Sequence, residues 1–552
     1  GLIHQGRQSS EEPFEVGLYL QRNEHKRGPR HHRIKRWTLP GDGRKRTFSF
    51  ETWIDNPWSS WIGWENGPWF RHNAWHILLE QWYPKEYEQI DRKQKDFKKE
   101  VADVLFKKGY LGPTLRVHSY RIEPMPQEWP PESHTALYGK GPIEDADAQK
   151  LFHAFAERAF RRPVAPEEVN SFVELAEQLM ADGNSKQEAM KGAYSAILCS
   201  PDFVYLSQNP GKLDDFALAS RLSYFLWSSM PDDALMKLAR TGKLSNPAEL
   251  RRQTERMLND PKSAAFGRHF PERWLKLHEL GRMEPDKRGP FGHYFRVKDI
   301  LIPQVDAFFS DLLQNNGPIR NFIDSDYTFM NKLLGELIYK QKVVGEHLRK
   351  VKLEDTRRGG LLTMPAVMTV TANGVDTSPI VRGVYVLENI LGTPPPSPPP
   401  DVEPLSPDLR GVKTLKEQLA IHRNQEACMS CHQKIDPMGY ALESFDPIGR
   451  WRDNYPKVDK KAKQAPPIDT VAVLANGREV KNLMEFKAML LERESQVAHC
   501  LTEKMLTYAT GRLLEAGDRG EIDRITAELK KDGNRLRDLV HLVVHSKIFL
   551  NK

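Results

Sequence analysis

The chain has 552 residues, enough for about three or four domains of ordinary size. Hydrophobic residues at 39% and charged residues at 28% fit soluble folded domains, and no apolar run approaches the ~20 residues of a membrane helix. A net charge of +7 is modest for this length and points to no nucleic acid, while four cysteines are too few for a disulfide scaffold.

Gly1 opens the chain without Met or a signal peptide, so a processed or truncated form is expected. Residues 1–143 read as a β-rich, Trp-rich module. FEVGLYLQRN, RIKRWTLP, RTFSFETWI and TLRVHSYRIEP suggest strands broken by Gly, Pro and charged turns. The basic cluster HKRGPRHHRIKR at 25–36 reads as a solvated loop. Seven of the twelve tryptophans fall at Trp53, Trp58, Trp61, Trp64, Trp69, Trp75 and Trp82. Their irregular spacing excludes a simple amphipathic stripe. Exposed rings could stack on the sugars of a polysaccharide, and an aromatic core or a protein interface gives the same composition. KEYEQIDRKQKDFKKEVADVLFKKGYL reads as an amphipathic helix.

Residues 144–355 turn helical. DAQKLFHAFAERAF, PEEVNSFVELAEQLMADG, DDFALASRLSYFLW and NPAELRRQTERML carry apolar residues at three- and four-residue spacing, with Asp, Asn or Pro at several starts. The adjacent pairs Asp214–Asp215 and Asp232–Asp233 read as helix caps rather than an acid–base or cation site. Residues 356–392 form a connecting segment. The run TPPPSPPPDVEPLSP at 393–407 is an extended linker. A helical domain is expected over 408–552.

That last domain holds Cys428-Met-Ser-Cys431-His432. Two thiols three residues apart on a helical turn can add to the two vinyl groups of one haem, with the adjacent imidazole as proximal iron ligand. By composition alone, such a pentapeptide arises on the order of once in a thousand chains of this kind. Zinc needs about four ligands, and only Cys199 and Cys500 remain, each isolated. A dithiol redox pair wants a βαβ context, and the flanks here are helical and polar. Haem c, one group covalently attached through Cys428 and Cys431 with His432 on the iron, is the favoured reading.

The distal ligand is less legible. Met438, Met484, Met489, His499, Met505 and Tyr508 are in range, and for any single methionine core packing is the commoner role. Met505 is the preferred candidate. Arg382 and Arg452 are candidate propionate contacts, since guanidinium matches carboxylate geometry; the alternative for Arg382 is a helix end or a nearby acid. The Asp436-Pro437 and Asp446-Pro447 pairs, with Trp451, are expected to build turns.

Several stretches resemble the planctomycete-type multi-domain cytochrome c-like proteins, assembled from domains of unknown function. They are AERAFRRPVAPEEV at 156–169, AILCSPDFVYL at 196–206 and LDDFALASRLSYFLWSSMPDDAL at 213–235. GGLLTMPAVMTVTANGVDTSPIVRGVYVLENILGTPPPSPPPDV at 359–402, CMSCHQKIDPMGYALESFDPIGRWR at 428–452 and LTEKMLTYATGRLLE at 501–515 complete the series. Cys428, Cys431 and His432 align with the family's attachment motif. Cys199 stands where an aliphatic residue is usual, and Met505 where leucine is common. The resemblance implies an exported c-type haem protein, extracytoplasmic and mainly α, with a β-rich N-terminal module, an all-α middle and a cytochrome c-like C-terminal domain. Three functions fit: an electron carrier with a redox partner protein, a haem enzyme (oxidase or peroxidase-like) with an open distal site, and an envelope or polysaccharide-binding protein with accessory haem.

Overall fold

The computed structural model describes residues 14–24, 28–40, 42–52, 59–64, 83–90, 99–101, 103–104, 115–123, 131–206, 210–282, 284–285, 291–343, 345, 347–374, 377–396, 416, 426–455 and 465–552. Trp53, Trp58, Trp69, Trp75, Trp82 and most of the Pro-rich run lie outside them. The chain divides into two compact units, Gly1–Pro126 with Val344–His347, and Gln127–Val343 with Leu348–Lys552.

The first unit contains a three-stranded antiparallel sheet in the order β2-β1-β3, with β1 at Phe14–Glu24, β2 at Gly28–Leu39 and β3 at Ser59–Trp64. Tyr19 faces Trp61 across the ladder and their rings stack at 4.4 Å. The basic cluster is therefore largely an edge strand rather than a loop. Its exposed Arg33, Lys35 and Arg36 are the kind of charge that protects an open edge from pairing with another chain. The described part of RTFSFETWI and residues 115–123 belong to no ladder among the described residues. Alternation alone does not make a strand when no partner strand supplies the hydrogen bonds.

The second unit is mainly helical, with two large cores among the described residues. The smaller one lies within 138–197, around Phe152, Ala156, Met190 and Ile197. The larger spans Leu213 to Phe549 and takes in Ile435 and Met438 from the segment with the pentapeptide. Helix starts follow local chemistry. Ser185 and Glu188 form a capping box, while Asp214 accepts from Ala217 N at 2.8 Å and Asp232 from Leu235 N at 3.0 Å. Asp215 instead turns inward and accepts from the amides of Leu244 (2.7 Å) and Ser245 (3.1 Å). Asp214 and Asp232 are therefore the expected helix caps, and Asp215 is not.

The middle region is not wholly helical. β4 at Tyr327–Met330 pairs antiparallel with β5 at Arg349–Lys352. At the other end of the chain, Arg221 Nη1 donates to the carbonyls of Phe549 (2.6 Å) and Asn551 (2.8 Å), anchoring the C-terminal segment on the Asp215–Trp227 helix. No helix of the described residues is long and apolar enough to cross a membrane.

Candidate functional site

The pentapeptide lies in the Glu426–Tyr440 helix, EACMSCHQKIDPMGY. Cys428 precedes Cys431 by about one turn; its side chain lies outside the described residues. Cys431 and His432 are partly buried, while Met429, Gln433 and Lys434 are exposed, so the motif sits where the helix meets the surface. Asp436-Pro437 was expected to make a turn, yet the helix runs on to Tyr440. Pro437 removes only the intrahelical donor to the Gln433 carbonyl, and Gln433 is exposed to water that can replace it.

This continuation places three polar side chains at four-residue intervals on one helix face. His432 Nδ1 meets Asp436 Oδ1 at 2.9 Å, and Tyr440 Oη donates to Asp436 Oδ2 at 3.4 Å. The Asp436 side chain is fully buried and that of His432 is 13% exposed. A carboxylate accepts, so the tautomer that suits this contact has the imidazole proton on Nδ1 and the lone pair on Nε2. A thiol beside an imidazole whose Nε2 is the donor atom is a donor set that fits covalent haem attachment.

The helix is seated by a close crossing. A Cβ on Gly383 would overlap the Ile435 carbonyl, and one on Gly439 would overlap the Pro379 carbonyl. Glycine at both positions lets the Pro379–Tyr385 helix lie directly on the helix bearing His432.

Below the crossing, Arg382 is completely buried. Its Nη1 donates to the carbonyls of Leu442 (2.6 Å) and Phe445 (2.8 Å) and lies 3.3 Å from Glu443 Oε1. Its Nε has no hydrogen-bond partner among the described residues. Glu443 Oε2 accepts from Thr377 Oγ1 at 2.6 Å and from Tyr455 Oη at 3.3 Å. Arg452 donates from Nη2 to Thr377 Oγ1 at 2.6 Å and from Nε to the Glu443 carbonyl at 3.2 Å. Both candidate propionate arginines thus converge on one protein carboxylate, that of Glu443. Asp446 folds the next turn, accepting from the amides of Ile448 and Arg450 and from Arg450 Nε.

Met505 is fully buried in the Glu494–Thr510 helix, which packs against the Asp215–Trp227 and Ala264–Trp274 helices. Tyr508, one turn on, has its ring among Phe225, Phe266 and Phe270. Met438 and Met489 are buried in the larger core, Met484 is exposed, and His499 meets Asp523 at 3.2 Å on the surface. Cys199 and Cys500 are free thiols, the first exposed and the second buried against the Asn389 carbonyl. Burial pushes the Cys500 thiol up to about 12. No cluster of three or more His, Cys, Asp or Glu able to hold a metal ion occurs among the described residues.

Sequence reasoning passed over Asp436 and Glu443. The first had a signal, its four-residue spacing from His432 on a helix. The second had none, because Arg382 and Thr377, which meet its carboxylate, are sixty residues or more away in the chain.

Four family models match in succession, each described as a protein of unknown function: DUF1595 over residues 147–208, DUF1592 over 213–339, DUF1588 over 358–455 and DUF1585 over 476–549. This is the planctomycete-type cytochrome c-like series. The chain belongs to that multi-domain family. Its DUF1588 segment bridges the expected connecting segment, the Pro-rich run and the pentapeptide, so that Gly383, Arg382, His432 and Glu443 all fall in one family domain. No curated protein and no solved structure matches the chain.

Proposed function

We propose that this protein is an exported, extracytoplasmic monohaem c-type cytochrome that passes electrons to or from a partner protein or substrate. The observation that carries the proposal is the 2.9 Å contact between His432 Nδ1 and Asp436, within the helix that also bears Cys428 and Cys431. It orients the imidazole and leaves the lone pair on Nε2 for an iron. Haem, when bound there, supplies one-electron chemistry. Cys428 and Cys431 would hold it covalently, and His432 would be the proximal ligand. The Gly383–Ile435 and Gly439–Pro379 approaches keep that helix fixed on its neighbour, which limits reorganisation around the ring.

Two measurements test this together. A pyridine haemochrome spectrum and a haem-stained denaturing gel are expected to give one covalent haem per chain. Colourless protein from cells able to mature c-type cytochromes would remove the haem, and electron transfer with it.

A second reading concerns the N-terminal unit. Trp37 lies 5.5 Å from both Phe48 and Phe50, and Phe48 is 44% exposed, which gives an aromatic surface suited to sugar rings. Retention on a polysaccharide column by a chain with Cys428, Cys431 and His432 all replaced would support it. Equal elution of that chain with and without the polysaccharide would exclude it.

A further inference from the structure

His432 Nδ1 is paired with a buried carboxylate. The partner, Asp436, lies one helical turn C-terminal and is fully buried, and each of its two oxygens meets a side chain of the same helix. Oδ1 takes the short contact to imidazole Nδ1 at 2.9 Å, while Oδ2 has the long one to Tyr440 Oη at 3.4 Å. A charge-assisted bond of this kind is roughly twice as strong as one between neutral groups. The low dielectric around a buried carboxylate strengthens it further. Through that bond the carboxylate draws the Nδ1 proton toward itself and leaves more electron density on the ring. Nε2 then becomes a more basic ligand than an imidazole bonded to a neutral acceptor.

We propose that Asp436 is the positioning residue of the proximal side, fixing the His432 tautomer and holding the reduction potential of the protein low. The inference rests on the haem reading above. It goes beyond it by giving the direction of electron flow that the chain's own residues favour. A more basic Nε2 stabilises the oxidised state, which suits a low-potential donor or a centre that activates a ligand better than a high-potential acceptor. Tyr440 moderates the effect, because its hydroxyl competes for the same carboxylate. The two side chains should therefore act on the potential with opposite signs.

The test is a potentiometric titration of the full chain as wild type, Asp436→Asn and Tyr440→Phe, each first checked for covalent haem by pyridine haemochrome. Asp436→Asn keeps the shape and weakens the acceptor. The expected result is at least a tenfold rise in the ferrous-to-ferric ratio at fixed applied potential, ~59 mV for a one-electron couple. Tyr440→Phe is expected to move the ratio the other way by a smaller factor. Unchanged ratios, within twofold, in an Asp436→Asn protein that retains its haem would overturn the proposal and leave Asp436 a packing role. If Asp436→Asn does not accumulate, Tyr440→Phe decides, since an unchanged or raised ratio sinks the idea. Wild-type protein without haem is a different failure, because it ends the haem reading itself and this inference falls with it.

Discussion

Arg382 and Glu443 meet in the complete absence of solvent, Nη1 3.3 Å from Oε1 and both side chains 0% exposed. Burial pulls the guanidinium below its ordinary range, and Glu443 pulls it back up. Desolvating two charges costs several kcal/mol per ion, so the pair is tolerable only because almost every lone pair and proton around it is engaged. Thr377, Tyr455 and Arg452 complete the carboxylate, while Leu442, Phe445 and Asp446 carbonyls surround the guanidinium. Glu443→Gln or Arg382→Met leaves one buried group without its counter-charge, and each is expected to cost ~3–5 kcal/mol in a urea unfolding series. The double variant should cost less than the sum of the singles. Strict additivity in that cycle would mean that the two residues are not coupled.

Gly383 and Gly439 make a second demand. Each faces a backbone carbonyl, of Ile435 and Pro379 respectively, and carbonyls cannot step aside as a flexible side chain can. Gly383→Ala and Gly439→Ala are each expected to destabilise by about 1–3 kcal/mol through overpacking. Both should also broaden the visible spectrum of any bound chromophore, because the His432 helix must lift from its neighbour. Gly477→Ala is the control for handling and expression, since nothing lies within 4 Å of a Cβ there; its own cost comes from its left-handed backbone (φ 81°) and should leave the spectrum untouched.

Asp306 gives a pH dependence whose sign can be worked out. It lies in the Tyr294–Gln314 helix with Oδ1 buried and without a hydrogen-bond partner among the described residues. Burial, with Glu272 acting in the same direction and Arg268 against it, pushes its carboxyl up from 3.8 to about 7. Between about pH 4 and 7 the folded chain holds a proton that the unfolded chain has lost. Stability therefore falls as pH rises through that window and levels off above it. Asp306→Asn is permanently neutral and removes this slope. Urea midpoints at about pH 3.5 and pH 8 should show little change at the first and a gain at the second. The gain should be on the order of 1–2 kcal/mol, reduced from the full shift because the group is partly solvated. An equal effect at both pH values would assign the change to packing.

The sequence made some of this architecture legible and hid the rest for physical reasons. Asp214 and Asp232 before apolar periodicity identify helix starts because a cap is a local hydrogen bond, complete within three residues. The β4–β5 pair could not be found that way. Tyr327–Met330 and Arg349–Lys352 carry no tight-turn signal between them, and their pairing is decided by what they pack on. Asp436-Pro437 misled in the other direction. The residue before proline disfavours helix, and here tertiary packing of Ile435, Met438 and Gly439 against the core outweighs that preference. The same error hid the His432–Asp436 contact, since two residues four apart meet only if the helix continues between them. Glu443 was beyond reach because Arg382 and Thr377, more than sixty residues upstream, are joined to it only by folding.

His432→Ala is the sharpest test of how the pentapeptide's parts divide the work. The thioether bonds would be made by Cys428 and Cys431, whose sulfurs do not depend on the imidazole, so the band on a haem-stained denaturing gel should persist. The visible spectrum of the native protein should change, because the proximal nitrogen is gone. Added imidazole should restore much of it if the deleted side chain was the ligand. It should do so less completely than the native residue, because a free imidazole is not tethered one turn from the buried Asp436 carboxylate. Combining His432→Ala with Asp436→Asn should then leave the imidazole-rescued spectrum nearly as it was in the single variant if rescue bypasses Asp436. It should weaken rescue further if the carboxylate also receives the exogenous ring. Retention of an unaltered native spectrum by His432→Ala would show that another side chain holds the iron, and the proximal assignment would pass from His432 to that residue.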